Sequence, residues 1–167
     1  MILNRFDLLN SLTIMNRDTY FTLFVHVTFS TKQRMRLLTP SIQLRLQPYM
    51  TSFCKNNGAV PLIINGVRDH MHLLFYVSSP SFCLSDFVRE LKKCTNKLCN
   101  DTLGYNGLFS WQKGYFAQAI SRERVPGCYE YIKNQQKHHI SMTFAEEWEK
   151  MKKDYQKDED VVVRYKK

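Results

Sequence analysis

VPLIINGVRDHMHLLFYV, residues 60–77, is the segment on which the predicted fold class depends most. Its first half, 60–67, and its second half, 70–77, are short runs rich in branched aliphatic and aromatic residues, which is typical of strands. Arg68 and Asp69 lie near the turn between these runs. The sequence therefore predicts two adjacent short strands in the middle of the domain.

Strands and helices alternate outward from this pair. The run YFTLFVHVTFS at 20–30 is dense in aromatic and β-branched residues and predicts the first strand, and 115–121 predicts the last. One helix is predicted between the N-capping Thr39 and Gly58, and a second over 85–98.

Apolar residues recur at helical spacing in both predicted helices. The two stripes are Ile42, Leu46, Tyr49 and Phe53 in the first helix and Phe87, Leu91, Cys94 and Leu98 in the second. Pro48 lies inside the first stripe and predicts a kink or a later helix start. A third helix is predicted over 125–139.

The resulting order is β-α-β-β-α-β followed by one helix. This is the order of an α+β, ferredoxin-like antiparallel sheet with an appended C-terminal helix. A chain of 167 residues is long enough for one domain with a real core. We predict three segments, namely an N-terminal extension at 1–18, a domain at 19–148 and a charged C-terminal tail at 149–167. The extension could lie before the native translation start.

The charge balance indicates a polyanionic partner. The chain carries 24 Lys and Arg against 15 Asp and Glu, a net charge of +9, and its pI is about 9.4. Residues 145–167 hold equal numbers of acidic and basic side chains, so the whole excess lies in 1–144. A compact basic domain favours nucleic acid over a membrane surface as the partner, although simple solubility also explains basic charge.

Several classes of protein are disfavoured. No apolar run is long enough to span a bilayer, and Arg5 and Asp7 interrupt the apolar stretch that a signal peptide needs. The five cysteines form an odd set without a Cys-x-x-Cys pair, which argues against a disulfide framework and a zinc ribbon. We therefore expect a cytoplasmic protein with reduced thiols.

His70 and His72 are two residues apart on a predicted strand. Because strand side chains alternate between faces, both imidazoles point to one side and Met71 to the other. Two neutral imidazoles on one face can hold a divalent cation and leave positions open for a substrate. A structural pair of histidines is the alternative interpretation.

Tyr131 and Gln135 stand at i and i+4 of the predicted third helix and so share one face. A tyrosine can act as a covalent nucleophile beside a cation, and a glutamine oxygen could complete the cation's ligands. The alternative is an amphipathic helix with a buried tyrosine. Tyr129 is the rival nucleophile, but its i+4 neighbour is Lys133, which cannot bind a metal while charged.

The remaining chemistry-bearing residues leave roles open. We expect His26 to be a core or edge histidine. His138 and His139 could contact a phosphate or a metal, or they could simply stabilise the C-terminus of the helix as cations. Strand-borne carboxylates are few, essentially Asp69, and no Gly-rich phosphate loop is present, which disfavours two-metal and P-loop enzymes. The predicted second helix carries a basic face that either is simply solvated or contacts phosphates: Arg89, Lys92, Lys93 and Lys97.

With these residues the chain resembles the single-tyrosine HUH transposases of the insertion-sequence type, small enzymes that mobilise single-stranded DNA. The matching phrases are VHVTFSTKQR, NGVRDHMHLLFYV, FSWQKGYFAQAIS and YIKNQQKHH, and they occur in the family's order over 20–148. The REP-associated relatives usually carry Asn-Pro where this chain has Asn134-Gln135, which favours the insertion-sequence branch.

The resemblance implies roles for four residues. His70 and His72 match the metal-binding pair, Gln135 the residue that completes the metal site, and Tyr131 the nucleophile. It further implies cleavage and rejoining of single-stranded DNA through a 5′-phosphotyrosine, assisted by Mg²⁺ or Mn²⁺. Family members act as dimers, in which one subunit's tyrosine can serve the other's histidines, and they bind hairpins at the element ends.

Three alternatives remain at this stage. A domesticated module could bind hairpin DNA without cutting it, although all four site residues are present. A metal-dependent nuclease could use the histidine pair to activate water, with Tyr131 only structural. A replication initiator or relaxase shares the histidine pair, but such chains are usually longer.

Overall fold

The computed structural model describes residues 20–141 and 143–164, so the predicted extension at 1–18 lies outside the described residues. Four strands form one antiparallel sheet in the order β2-β3-β1-β4. The strands are β1 Phe24–Ser30, β2 Ala59–Gly66, β3 His70–Val77 and β4 Phe116–Ile120. The helices are α1 Pro40–Asn56, α2 Leu84–Asp101, α3 Val125–Lys133, α4 Gln135–Ser141 and α5 Phe144–Arg164.

The predicted ferredoxin-like architecture is confirmed, because β1-α1-β2-β3-α2-β4 is followed by C-terminal helices. The first strand begins at Phe24 rather than at residue 20. Helix α1 begins at Pro40, where the backbone N–H of Ile42 donates to the Thr39 hydroxyl, and it continues past Pro48. A later start of this helix is therefore not observed.

The turn between β2 and β3 depends on Gly66. A Cβ atom at this position would lie 2.3 Å from the His70 carbonyl oxygen and 2.7 Å from the Met71 sulfur, so only glycine allows this approach. The backbone N–H of Val67 then donates to the His70 carbonyl at 3.1 Å. The turn thereby fixes the start of β3, where the histidine pair lies.

One face of the sheet is apolar and is covered by α1 and α2. Phe29 on β1 and Leu73 on β3 pack in a single core with Leu46 of α1 and Leu91 of α2. Full burial of each such side chain contributes about 1.5–3 kcal/mol to folding. This core covers the face of the sheet opposite to the histidine pair.

The opposite face is polar at its centre and is covered by the C-terminal helices. The antiparallel register pairs Thr28 with His72 and Ser30 with His70. Beside them, Leu74 packs with the fully buried Ile132 of α3 in a smaller cluster. Strand alternation therefore separates an apolar core from a buried polar cluster on the same two strands.

The single helix predicted over 125–139 is wrong, because the structure divides it at Asn134 into α3 and α4. Asn134 is the C-cap residue of α3, and its side-chain amide joins its backbone N–H in donating to the Glu130 carbonyl, at 2.8 and 3.1 Å. Helix α5 continues to Arg164, across the predicted boundary at 148, and the domain division itself stays a prediction. None of the described helices is long and apolar enough to cross a membrane.

Candidate functional site

Both histidines of the pair lie fully buried on one face of β3, as strand alternation predicts. The Nδ1 atom of His70 donates to the Asp69 carboxylate at 2.7 Å. The Nδ1 atom of His72 lies 2.9 Å from the Thr28 hydroxyl and 3.0 Å from His26 Nε2. Because both Nδ1 atoms have protein partners, the Nε2 atoms are the ones left to bind a ligand.

His26 is buried, as expected of a core histidine, and it also contacts the site. Its Nε2 and the Thr28 hydroxyl are 3.2 Å apart, so polar atoms of His26, Thr28 and His72 all lie within hydrogen-bonding distance of one another across β1 and β3. Burial lowers the pKa of His26 to about 4. Burial, followed by the charges of the neighbouring histidines, lowers the pKa of His72 well below its usual value. Both rings are therefore neutral near pH 7, the form in which imidazole binds metals.

Tyr131 on α3 points into the same cluster. Its ring stands edge-on to the ring of His72, with 5.7 Å between centroids, and edge-on to His138 at 5.1 Å. Its hydroxyl donates a hydrogen bond to the Glu147 carboxylate. The rival Tyr129 is 37% exposed and does not line the cleft beside Tyr131.

Gln135 is the first residue of α4 and is fully buried. Neither atom of its amide group has a hydrogen-bond partner in the described part of the chain. Because an unsatisfied buried amide is costly, this side chain is a candidate to bind a ligand that the structure does not contain. Helix α4 packs against β2, next to the histidine-bearing strand.

Glu147 on α5 is the residue that sequence reasoning missed. It is 3% exposed, and its carboxylate lies 3.5 Å from the Nε2 atoms of both His70 and His72 and 3.1 Å from His139 Nε2. Burial raises the pKa of Glu147 to about 7, the charge of Asp69 adds to this, and Lys150 opposes it.

A sequence signal for Glu147 existed. Phe144, Trp148 and Met151 stand at i−3, i+1 and i+4 from it, so this carboxylate interrupts the apolar stripe of an amphipathic helix. Phe144 stacks on the His70 ring, with 4.0 Å between centroids and 19° between planes. The carboxylate therefore faces the sheet and not the solvent.

The cluster has the chemistry of a divalent-cation site. His70, His139 and Glu147 each offer one ligand atom, and these atoms all lie within 4.8 Å of one another. The buried Nε2 atoms of His70 and His72 have no hydrogen-bond partner among residues 20–141 and 143–164. Imidazole nitrogens suit divalent first-row transition metals, and carboxylate and amide oxygens suit Mg²⁺ and Mn²⁺, so this mixed set of residues fits a divalent cation.

An open cleft of about 350 Å³ borders this cluster. Its lining includes Tyr131 and His26, two cationic side chains, Arg124 and Lys150, and two acidic ones, Glu147 and Asp154. Lys157 lowers the pKa of Asp154 through a hydrogen bond and its charge, and the charges of Lys150 and Arg124 add to this. The cleft therefore offers a phosphodiester two cations that also interact with a carboxylate.

The predicted phosphate-contacting residues of α2 lie on the other side of the sheet, where α2 covers the apolar face. Arg89 is ion-paired with Asp86 at 2.6 Å, and Lys93 lies 3.5 Å from Glu90. The Lys92 ammonium donates to the backbone carbonyls of residues 112 and 114, at 2.6 and 2.7 Å, so it ties α2 to the loop before β4. Lys97 is exposed. The structure does not bring this set to Tyr131, and its contact with DNA stays a prediction.

Comparisons with known proteins identify the family and the fold of this chain. Residues 19–135 match the family model described as "Transposase IS200 like". A candidate transposase from Deinococcus radiodurans R1 is 22% identical in its crystal structure, with a TM-score of 0.59 over 72% of this chain and 95% of that one. A REP-associated tyrosine transposase bound to a REP hairpin is 20% identical, with a TM-score of 0.55 over 74% and 73% of the two chains. These two structures establish the shared fold.

A search of curated proteins found no match. The family match, in contrast, takes in all four strands and helices α1 to α3, as well as the histidine pair and Tyr131. Since it spans well over half of the sequence, this chain belongs to the IS200-like transposase family of DNA transposases.

Proposed function

We propose that the protein cleaves and rejoins single-stranded DNA by transesterification, with Tyr131 as the nucleophile. The phenol oxygen attacks a phosphodiester, the bond to the 3′ oxygen breaks, and a 5′-phosphotyrosine and a 3′-OH result; reversal of these steps rejoins the strand. The observation that carries this proposal is that the Tyr131 hydroxyl reaches the buried histidine–carboxylate cluster at the border of an open cleft.

We propose that His70 and His72, with Gln135, hold a divalent cation, Mg²⁺ or Mn²⁺. A cation bound there would supply polarisation of the scissile phosphate. The chain's own residues prepare the site: Asp69 orients His70 through Nδ1, and Thr28 orients His72 in the same way. Orphaned Nε2 atoms on both rings and an orphaned amide on Gln135 support this assignment.

The DNA partner we propose is a single strand with hairpins at the element ends. The solved REP-associated transposase is bound to a REP hairpin, and the net charge of +9 on this chain favours a polyanion. We assign Arg124 and Lys150 to the phosphates near the cut, and the exposed Arg89, Lys93 and Lys97 to hairpin phosphates. We expect the reaction in the cytoplasm, where the five cysteines stay reduced.

The experiment that tests this function uses oligonucleotides from both flanks of the gene, incubated with protein and Mn²⁺ or Mg²⁺ and resolved on a denaturing gel. We expect a protein–DNA adduct that requires metal and single-stranded DNA and is lost in Tyr131→Phe and His70→Ala. Tyr129→Phe is the matched control and retains the adduct. Strand cutting that persists in Tyr131→Phe would instead indicate a metal-dependent nuclease. DNA binding by the wild type without any cutting would indicate a domesticated hairpin-binding module.

We propose a homodimer in which each tyrosine serves the histidines of its own chain, because Tyr131 stands beside His72 within one chain. A mixture of Tyr131→Phe and His70→Ala proteins distinguishes the two arrangements. Under our proposal the mixture forms no adduct. An adduct in the mixture would show that one subunit's tyrosine serves the other's histidines. Sedimentation of the wild-type protein then tests the dimer itself.

A further inference from the structure

Glu147 occupies the point at which the two histidine side chains converge. Its two carboxylate oxygens lie 3.5 Å from His70 Nε2 and 3.5 Å from His72 Nε2. These separations are long for N–H···O hydrogen bonds, which are typically about 2.9–3.0 Å. Adjacent ligands of an octahedral ion with metal–ligand distances of about 2.1 Å lie about 3.0 Å apart. The observed separations exceed both values, so the three side chains converge on one point without bonding directly to one another, and His70 Nε2, His72 Nε2 and one Glu147 oxygen are left without a hydrogen-bond partner among the described residues.

The Glu147 carboxylate also has no direct contact with a lysine or arginine among the described residues, and Lys150 acts on it only from a distance. Among the described residues its ion-pair contacts are only with histidines, namely His70, His72 and His139. No lysine or arginine in that part of the chain lies within 4.0 Å of it, and the side chain is 3% exposed. A buried carboxylate without a cationic partner is strongly disfavoured, and a divalent cation between these groups would remove that cost.

The fold holds Glu147 in place through the first turn of α5. Phe144 stacks on the ring of His70, and the Arg34 guanidinium lies over the Phe144 ring, 5.4 Å from its centre. Glu147 follows Phe144 by three residues and therefore lies on the same helix face. The match to the family model ends at Gln135, so α5 and Glu147 lie beyond the matched segment.

We propose that Glu147 is a direct ligand of the divalent cation held by His70 and His72, so that helix α5 completes the metal site. The identity of the cation rests on the proposed function, whereas the role of Glu147 rests on its own geometry. Metal binding then also fastens α5 to the sheet.

Direct metal binding by the full chain without DNA tests this inference. Each protein is titrated with Mn²⁺, and binding is monitored by calorimetry or by the spin-resonance signal of the free ion. The Mn²⁺ affinity is compared among the wild type, Glu147→Gln, His70→Ala and Glu149→Gln. Glu149 is the matched control because it lies on the same helix but is exposed and paired with Lys152 at 2.7 Å. We expect at least tenfold weaker binding for Glu147→Gln and His70→Ala and an unchanged affinity for Glu149→Gln.

The outcomes separate this inference from the proposed function. Wild-type affinity in Glu147→Gln, together with lost binding in His70→Ala, would overturn the role of Glu147 and leave the histidine site standing. If Glu147→Gln binds Mn²⁺ more weakly and the wild-type protein forms no DNA adduct, the role of Glu147 as a ligand is supported and the transposition chemistry is contradicted. Absence of Mn²⁺ binding by wild type would overturn the inference outright.

A thermal measurement guards against a variant that simply misfolds. Without metal, Glu147→Gln should melt at or above the wild-type temperature, because it removes a buried carboxylate that contacts no lysine or arginine among the described residues yet keeps an oxygen for the Tyr131 hydroxyl. With saturating Mn²⁺, the wild type should gain more in melting temperature than this variant does, and Glu147→Asp should recover part of the gain. A variant that melts lower without metal but gains as much with it would assign Glu147 a structural role and refute the proposal.

Discussion

Replacement of Asn65 by alanine tests how the sheet positions the helix that carries Tyr131. Asn65 is half-buried near the end of β2, and its side-chain amide donates to the carbonyls of Ile132 at 2.8 Å and Lys133 at 3.2 Å. These are the last two carbonyls of α3, where acceptors outnumber the donors of the helix, and the Asn134 backbone N–H also faces the Ile132 carbonyl. At about 0.5–1.5 kcal/mol for each hydrogen bond, Asn65→Ala should lower the free energy of unfolding by about 2 kcal/mol.

For a chain of this size, 1 kcal/mol corresponds to about 2–4 °C in melting temperature, so we expect a decrease of about 4–8 °C. Thermal unfolding followed by circular dichroism measures it. The adduct assay measures the second effect: the rate per folded molecule should fall about tenfold or more, because a shift of about 1 Å at a reacting group can cost about a hundredfold.

Asn100→Ala is the matched control. Its side chain accepts from the backbone N–H groups of Gly107 and Phe109, each at 2.9 Å, and donates to the Asn96 and Phe109 carbonyls. It lies at the end of α2, on the far side of the sheet. This variant should be destabilised at least as much but retain the wild-type rate per folded molecule. If Asn65→Ala also kept the wild-type rate, the reasoning that Asn65 positions Tyr131 would be refuted.

Lys92→Ala should lower the free energy of unfolding by about 2 kcal/mol, because its ammonium group loses two carbonyl acceptors, whereas Lys93→Ala should leave stability unchanged. In a filter-binding assay, Lys93→Ala should weaken binding of a hairpin oligonucleotide and reduce the salt slope by about 1; unchanged binding would remove Lys93 from the interface. In alkylation followed by mass spectrometry at pH 8, the exposed Cys83 should react well before Cys54 and Cys99. Burial raises the pKa of both latter thiols to about 12, and early labelling of either would contradict the described core.

The parts of the fold and site that the sequence predicts are those set by local periodicity. The alternation along β3 puts His70 and His72 on one face and Met71 on the other, because each residue of a strand reverses direction. The capped start of α1 at Thr39 depends likewise on neighbouring residues alone. Interpretation of one sequence is reliable where the deciding contacts lie within a few residues.

The division of the third predicted helix illustrates the opposite case. The apolar spacing over 125–139 fits one continuous helix, yet α3 ends at Lys133. The acceptors at that end are satisfied partly by Asn65, a residue 67 positions away from Ile132. A periodic pattern carries no information about such a distant donor. When a residue of the sheet satisfies the carbonyls at a helix end, ending the helix there leaves fewer acceptors without a partner.

Lys92 shows the same limit for charge. Its place on a basic helix face favours phosphate contact, and only the position of the loop before β4 reveals that it binds carbonyls of its own chain. Sign and spacing of charged residues therefore identify a basic face but do not identify which members of it remain available to DNA.

Glu147 was overlooked for a different reason, since its signal is local. In the charge balance of residues 145–167, Glu147 is only one of several acidic side chains that basic ones offset. In the helical period, however, it is a carboxylate that stands among apolar positions. The distinction matters because the site is assembled from both chain ends: β1 supplies Thr28 to orient His72, and α5 supplies the carboxylate that both Nε2 atoms face. A histidine pair acquires a defined binding direction only when its Nδ1 atoms are occupied and its Nε2 atoms converge on one point. In this chain the two conditions are met by elements more than 110 residues apart, so the metal-binding geometry is a property of the whole fold and not of the His-Met-His motif.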